Sequence, residues 1–464
     1  MSAPWFWIIL PMVFAGILWL LRNNSKITGI VSMVLQAILA GLAALMPIGI
    51  STRIGPIPVE IASTLSILGR RLVLENADRS YLAFLFAVGA LWALITMIIK
   101  PHRSVVPLQM VIISLLVAAR AVEPFLFGAV LVEIAVLVSI PMLVPPGTRP
   151  GRGVLRYLIF QTLALPVILL AGWAFNIVQI YPENQAALAR ASIFLGLGFA
   201  FWLGVFPFYT WIPMLSEESH PVVNGFILSF LPFIFLMLGL DFLNGFVWLR
   251  QGTYLVSVLQ VTGVLMIVTG GIWAAFQQTL VRMAAYALIL DTGFLLLAIS
   301  LQNQVGMETF AANWIPRQLS LILLAYGFST LQQHGYSLSV AGVKGSGVKY
   351  PILTAAIALA FLSFTGLPLT GTFAIREPIL GELSRQSIVM TVWALVGVAG
   401  LLVGLLRVLF AFFAFSGRDW RSGENWYEGL IFIAGMVLLL GAGLFPAEFF
   451  KGILNMLESF PNLP

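Results

Sequence analysis

From Tyr81 to Ile99 the chain runs nineteen residues without a single Asp, Glu, Lys or Arg. A helix of that length crosses the ~30 Å hydrocarbon core of a bilayer. Comparable runs recur along the sequence, and in hydrocarbon each backbone N–H and C=O needs an internal partner, so they predict helices. Only 9% of the 464 residues are charged and 60% are hydrophobic, against about 25% charged in a soluble chain. The fold expected is an all-α polytopic membrane protein of about fourteen transmembrane helices, with no sizeable soluble domain.

The spans fall at 5–21, 27–46, 81–99, 105–119, 125–143, 155–178 and 191–215, then 222–240, 254–276, 284–299, 319–332, 352–380, 388–413 and 430–444. Residues 449–457 are short enough to lie at the interface. Strand is expected at most in Ser51–Arg71, where Pro56 and Pro58 suit a hairpin. The first span has no basic leader or small-residue cleavage site, so it reads as retained.

Two spans carry a proline where a helix should still be running: Pro207 in the seventh and Pro368 in the twelfth. Proline lacks the N–H and crowds the preceding turn, so each span is expected to be broken there. After Pro207 the chain is expected to break at Trp211-Ile212-Pro213 and pass through an acidic turn. The two breaks lie five spans apart. An odd offset makes equivalent helices antiparallel, which predicts two inverted five-helix repeats with the site expected at their interface. The expected organisation is residues 1–104, an N-terminal three-helix segment and loop; 105–245 and 250–416, the two repeats; and 417–464, a last helix and interfacial tail. Basic residues at Arg22/Lys26, Lys100/Arg103, Arg149/Arg152/Arg156, Lys344/Lys349 and Arg418/Arg421 fall on one side. That bias puts both termini outside the cell (inner) membrane.

Ionisable groups within spans are costly and therefore candidate functional residues. Glu133, in LFGAVLVEIAVLVSIPML, is the clearest. It is placed to hand on a proton, the bland alternative being a hydrogen-bonded neutral acid. Arg376 and Glu377 follow the Pro368 break and are read as a fixed charge or an ion pair, since arginine hardly ever releases its proton. Asp291 and Arg407 lie inside the tenth and thirteenth spans. Both are candidates for a relay, with snorkelling or a bridge to a neighbouring subunit the alternative for Arg407. Arg282 reads as an interfacial anchor. Glu217, Glu218 and His220 form either an ion entrance or a solvated cap.

Other chemistries are excluded. His102, His220 and His334 all fall in expected loops and form no metal-ligand pattern, and no phosphate loop, nucleophile elbow or triad is present. With no cysteine, thiolate-held iron–sulfur clusters are ruled out, and no cofactor is expected in this chain. The net charge of +6 comes without a basic, aromatic-interleaved stripe, so nucleic acid is not an expected partner.

Three segments resemble motifs of the antiporter-like membrane subunits of respiratory complex I and of Mrp-type cation/proton antiporters. FPFYTWIPMLSEESHPVVNGF is similar to that family's F-P-F-H-x-W-L-P segment and the helix after it. LVRMAAYALILDTGFLLLAI is similar to its K-R-L-L-A-Y-S-S-I-S-H-x-G-F segment, and LSFTGLPLTGTFAIREPIL to its L-x-G-L-P-P-x-x-G-F-x-x-K segment. The resemblance implies the inverted-repeat fold and proton relay along a polar mid-membrane axis. It also implies, residue by residue, that Glu133 stands at the fifth-helix glutamate. Trp202, Phe233 and Leu321 stand where the family has buried lysines, Asp291 replaces a histidine, and Arg376 occupies the twelfth-helix lysine or glutamate position.

Tryptophan, phenylalanine and leucine do not titrate, so the usual wire is interrupted. The leading expectation is a membrane-arm subunit of a complex I-like or related ion-translocating redox assembly, with translocation altered or absent. An independent or Mrp-like proton/cation antiporter subunit working through Glu133, Asp291 and Arg376 is the first alternative; a purely structural scaffold is the second. Other integral membrane subunits and lipids are the partners expected, with a quinone nearby. Any flavin and iron–sulfur clusters would belong to partner subunits. The chain has no room for the long lateral helix of the most distal complex I subunit, which points to the shorter, central type.

Overall fold

The computed structural model describes residues 2–50, 52–54, 57–67, 69–181, 184–414 and 423–464. In chain order the helices begin with α1 (Leu10–Leu20, preceded by one π-helical turn from Trp5), α2 (Ser25–Leu45), α3 (Arg79–Ile99), α4 (Val105–Ala121) and α5 (Gly128–Leu143). Next come α6 (Arg152–Ile180), α7 (Gln185–Leu203), α8 (Trp211–Glu218), α9 (Pro221–Gly245) and α10 (Val247–Arg250). The second half holds α11 (Thr253–Phe276), α12 (Leu280–Ser300), α13 (Gln304–Ala312), α14 (Trp314–Gln333) and α15 (Ser346–Lys349). The series closes with α16 (Pro351–Thr365), α17 (Phe373–Gln386), α18 (Ile388–Phe412), α19 (Trp426–Leu444) and α20 (Pro446–Leu454).

Every expected span falls on helix, and among the described residues ten helical stretches are long and apolar enough to cross a membrane. The chain is thus an integral, essentially all-helical membrane protein. Leu20, Ile180, Phe410 and Trp426 stand exposed on its outside, as suits a surface whose solvent is lipid. Strand is confined to two small sheets. β1 (Thr52–Ile54) pairs antiparallel with β2 (Ile57–Val59). β3 (Thr64–Ile67) pairs with β4 (Arg70–Val73), and β4 also pairs with β5 (Val122–Glu123). One hairpin was expected and two are found; Pro56 lies outside the described residues, as do Arg418 and Arg421 of the basic clusters. The short helix α13 was not anticipated.

The chain forms two compact units. The first comprises Met1–Phe208, Phe226–Leu249 and Glu458–Asn462. In it α2 packs on α3, α4 on α5 and α6 on α7, around the buried side chains of Trp7, Trp92, Trp202 and Phe226. Indole N–H groups that would otherwise be stranded are paired: Trp7 donates to the Leu39 carbonyl (3.1 Å) and Trp92 to Ser229 (3.2 Å). Near one end of this unit Arg120 is buried between Asp78 (3.2 Å) and Asp241 (3.6 Å), with the Tyr81 and Phe460 rings against its guanidinium.

The second unit comprises Tyr209–Gly225, Arg250–Leu457 and Leu463–Pro464. Its centre is α12, buried along its whole apolar length and packed against α11. α11 also packs on α18, at backbone contact: a Cβ on Gly271 would sit 1.7 Å from the Gly397 carbonyl oxygen. Small residues at such a crossing let two helices gain dispersion contacts that lipid would not otherwise yield.

Both breaks are present, and a glycine makes each of them. α7 ends at Gly204 (φ 61°) and α16 at Gly366 (φ 71°), both left-handed, a conformation glycine adopts at little cost. Proline alone does not break these helices, since Pro166 and Pro232 lie inside the uninterrupted α6 and α9. Pro207 and Pro368 follow their glycines and prevent the helix from resuming at once. The expectation of a break at Trp211-Ile212-Pro213 is corrected. A helix restarts there as α8, because Pro213 falls in its first turn, where no N–H is required. Glu217 and Glu218 accordingly lie on this helix and not in a turn.

Candidate functional site

Asp291 sits near the middle of α12 and is fully buried. Two arginines from different elements converge on it. Arg317, in the first turn of α14, places Nη1 2.5 Å from Asp291 Oδ2. Arg376, in the first turn of α17, places Nη2 3.0 Å from Oδ1. Asn313, just before α14, donates to Oδ2 at 3.2 Å. Both arginines are almost wholly buried, at 1% and 2% exposure, so water does not screen the trio.

The break in the α16–α17 segment builds this arrangement. Arg376 donates a short hydrogen bond to the Phe364 carbonyl, and Thr372 donates one to the Ser363 carbonyl. These are carbonyls of the last turn of α16, where helical N–H donors run out; the Ser363 carbonyl also accepts the Gly366 N–H (3.1 Å). Gly366 also clears the path of the arginine: a Cβ there would lie 2.6 Å from Arg376 Cδ. Phe294, one turn on from Asp291, lays its ring 4.4 Å from the Arg376 guanidinium, while the Thr292 hydroxyl accepts from Arg317 (3.3 Å). Two guanidiniums face one carboxylate. The trio therefore gathers two basic side chains and one acidic one inside the helix bundle.

The sequence expectations are met unevenly. Asp291 and Arg376, separated by 85 residues, are brought together. The anticipated Arg376–Glu377 pair is absent: adjacent helical residues point about 100° apart, and Glu377 faces outward. Arg407 is half-buried and donates a short bond to the Ala275 carbonyl, capping the last turn of α11. It does not join the trio. Leu321 is buried in α14. Arg317 was not anticipated, because the eleventh span was drawn from Leu319. Pro316 is the signal that would have moved the helix start back, since proline suits a first turn.

Glu133, in the first unit, is buried and accepts a hydrogen bond from the Thr162 hydroxyl (2.8 Å). Among the described residues no Lys, Arg or His forms an ion pair with it. At the positions where the resemblance placed lysines, Trp202 stacks on Phe235 with centroids 4.8 Å apart. Phe233 stacks on Tyr81 at 5.7 Å. The Trp202 and Phe233 rings fill space and carry no titratable group.

Glu217 is exposed and pairs with Arg282 at 3.1 Å, Glu218 is exposed, and His220 lies between α8 and α9. His220 Nδ1 accepts from the Val222 N–H (3.3 Å). Burial lowers its pKa from the ordinary 6.5 to about 4. Between those values the unfolded chain takes up a proton that the folded one refuses, so stability attached to this group falls as pH falls. By pH 4 the loss amounts to about 3 kcal/mol. Thermal unfolding of His220→Gln in detergent should therefore drop less between pH 7 and pH 4 than that of the parent.

Residues 157–403 match the model of the family described as NADH:quinone oxidoreductase/Mrp antiporter, TM. A curated relative, NADH-quinone oxidoreductase subunit N of Chromohalobacter salexigens, is 29% identical over 272 residues, which is 54% of each chain. The chain spans about half the length of the curated relatives it matches. Solved structures match along its whole length. One is a chain of respiratory complex I from Thermus thermophilus with bound NADH, at TM-score 0.77 and 18% identity, covering 98% of each chain. Another is a chain of the Mrp complex from a Dietzia species, at TM-score 0.80 and 14% identity, covering 99% of this chain and 97% of that one.

Proposed function

Because the chain belongs to the NADH:quinone oxidoreductase/Mrp antiporter transmembrane family, we propose that it is an antiporter-like membrane subunit of a complex I-like or related ion-translocating redox assembly. The observation that carries this reading is the extent of the family match. Residues 157–403 take in both breaks and all three members of the buried Asp291–Arg317–Arg376 trio. In this reading the chain spans the inner membrane fourteen times with both termini outside. Residues 105–245 and 250–416 are its inverted repeats, a division favoured by the two glycine–proline breaks. Flavin and iron–sulfur clusters would reside on partner subunits.

Ion movement through this chain is altered in the same reading. The trio acts as an electrostatic post, since arginine keeps its proton, and the Trp202, Phe233 and Leu321 positions pass no proton. Glu133, bonded to a hydroxyl and not to a lysine, is then not a relay station. A positioned acid–base group contributes about 10²–10⁴-fold where it transfers a proton, so Glu133→Gln should change the assembly's proton pumping by less than about twofold. Redox-driven pumping in sealed vesicles measures this. A drop of a hundredfold would restore Glu133 as a carrier.

Gentle extraction of the tagged chain tests the assignment. Stoichiometric recovery with hydrophilic redox subunits and other antiporter-like chains is expected. Recovery with small membrane subunits only would favour an Mrp-like transporter, a reading to which the Dietzia fold lends support. A scaffold without transport would keep its partners while every polar substitution left translocation unchanged.

A further inference from the structure

Glu377 lies close to the depth of the buried trio. Its neighbour Arg376 is bonded to Asp291, which stands near the centre of the fully buried, membrane-length α12. One residue of helix adds only about 1.5 Å along the axis. Yet Glu377 points out of the chain and makes no hydrogen bond or ion pair among the described residues. Along the same edge of α17, four residues to either side, are Phe373, which is 40% exposed, and Gly381, where an added Cβ would meet open space. The neighbouring helix α18 turns outward with Val389, Val392, Trp393 and Val396, an uncharged surface suited to acyl chains. The edge of α17 is different. A carboxylate placed against hydrocarbon costs several kcal/mol, and nothing among the described residues offsets that cost.

We infer that the Phe373–Glu377–Gly381 edge of α17 is the seat of a second integral membrane subunit, whose helix presents a lysine or arginine to Glu377. Charge complementarity selects the partner's chemistry, and Gly381 lets that helix approach closely. The inference rests on the reading of the chain as a subunit of a membrane assembly.

The chain has no cysteine, so Phe373→Cys, one turn from Glu377 on the same exposed edge, supplies a unique attachment point in this chain for a maleimide photocrosslinker in native membranes and leaves the carboxylate in place. The expected photoproduct joins the chain to one integral subunit, at a peptide with a basic residue inside an apolar helix. Glu377→Lys should then reduce that subunit's recovery at least tenfold, and exchanging the partner's basic residue for glutamate should restore it. Glu377→Gln, which keeps the volume, guards against a folding failure: it should weaken recovery while leaving the chain's own Tm unchanged. Products with lipid only, a crosslinked peptide lacking a basic residue, unaltered recovery of the Lys or Gln variant, or loss without restoration would each overturn the inference. If the chain keeps its partners while the crosslinks reach only lipid, this inference alone falls. If it purifies without any other membrane subunit, the proposed function falls with it.

Discussion

Asp291→Asn is expected to cost the protein about 3–5 kcal/mol, the usual range when one member of a buried ion pair is removed and its partner is left charged. The volume barely changes, so packing is not the cause. What changes is that Arg317 and Arg376, both buried, lose the carboxylate that faces them. Much of the chain should then fail to survive mild detergent extraction, and the remainder should unfold at a lower temperature. A companion variant separates stability from function. Replacing all three groups together, with Asp291→Leu, Arg317→Met and Arg376→Met, removes the charges and fills their space. Such replacements are often neutral or stabilising, so the triple variant should fold. If it assembles and ion translocation is lost, the trio is an electrostatic post in the transport path. Undiminished translocation would reduce the trio to a structural tie between α12, α14 and α17.

Gly397→Leu should be at least as damaging, for a steric reason. A Cβ built at this position would lie 2.4 Å from the Ile267 carbonyl oxygen. The opposing atom is backbone and cannot swing aside. Overpacking a core with side-chain neighbours costs about 1–3 kcal/mol. Here α11 and α18 would have to separate along the whole of their contact, so the loss should exceed that range. Monodispersity by size-exclusion after extraction reads the effect, and Gly196→Leu is the control, because a Cβ there meets open space. An equal loss in both variants would show that the close crossing is not what matters.

The sequence announces its spans because hydrocarbon permits few alternatives to a long apolar helix. Glu133 and Asp291 were visible for the same reason, as charges in the middle of such runs. Residues near span ends were harder to read. Arg317 falls two residues before the span drawn from Leu319, and Arg120 one residue after the span drawn to Ala119. Both are buried ion-pair centres in the structure. Hydropathy blurs a terminus by a turn, and one turn is enough to file a buried arginine under loop. The Arg376–Glu377 pairing failed for another reason, since adjacency in sequence is separation around a helix. Two ring-stacked positions, Trp202 and Phe233, show the reverse case. Their inability to titrate was plain from residue type, whereas their stacking partners, Phe235 and Tyr81, depend on tertiary packing that no local pattern encodes.

The last residues of the chain also bear on the order of events during synthesis. Glu458–Asn462 belong to the first unit although the residues just before them belong to the second. There Ser459 donates to the Ala77 carbonyl, Phe460 covers Arg120, and Asn462 bonds to Asn244. A ribosome delivers these contacts hundreds of residues after Asp78 and Arg120 have entered the membrane. The earlier-made helices therefore wait, with the Arg120 cluster uncovered, until Glu458–Asn462 have been made. Synthesis that stops before Glu458 would leave Arg120 without the Phe460 ring and Asp78 without its bond from Ser459.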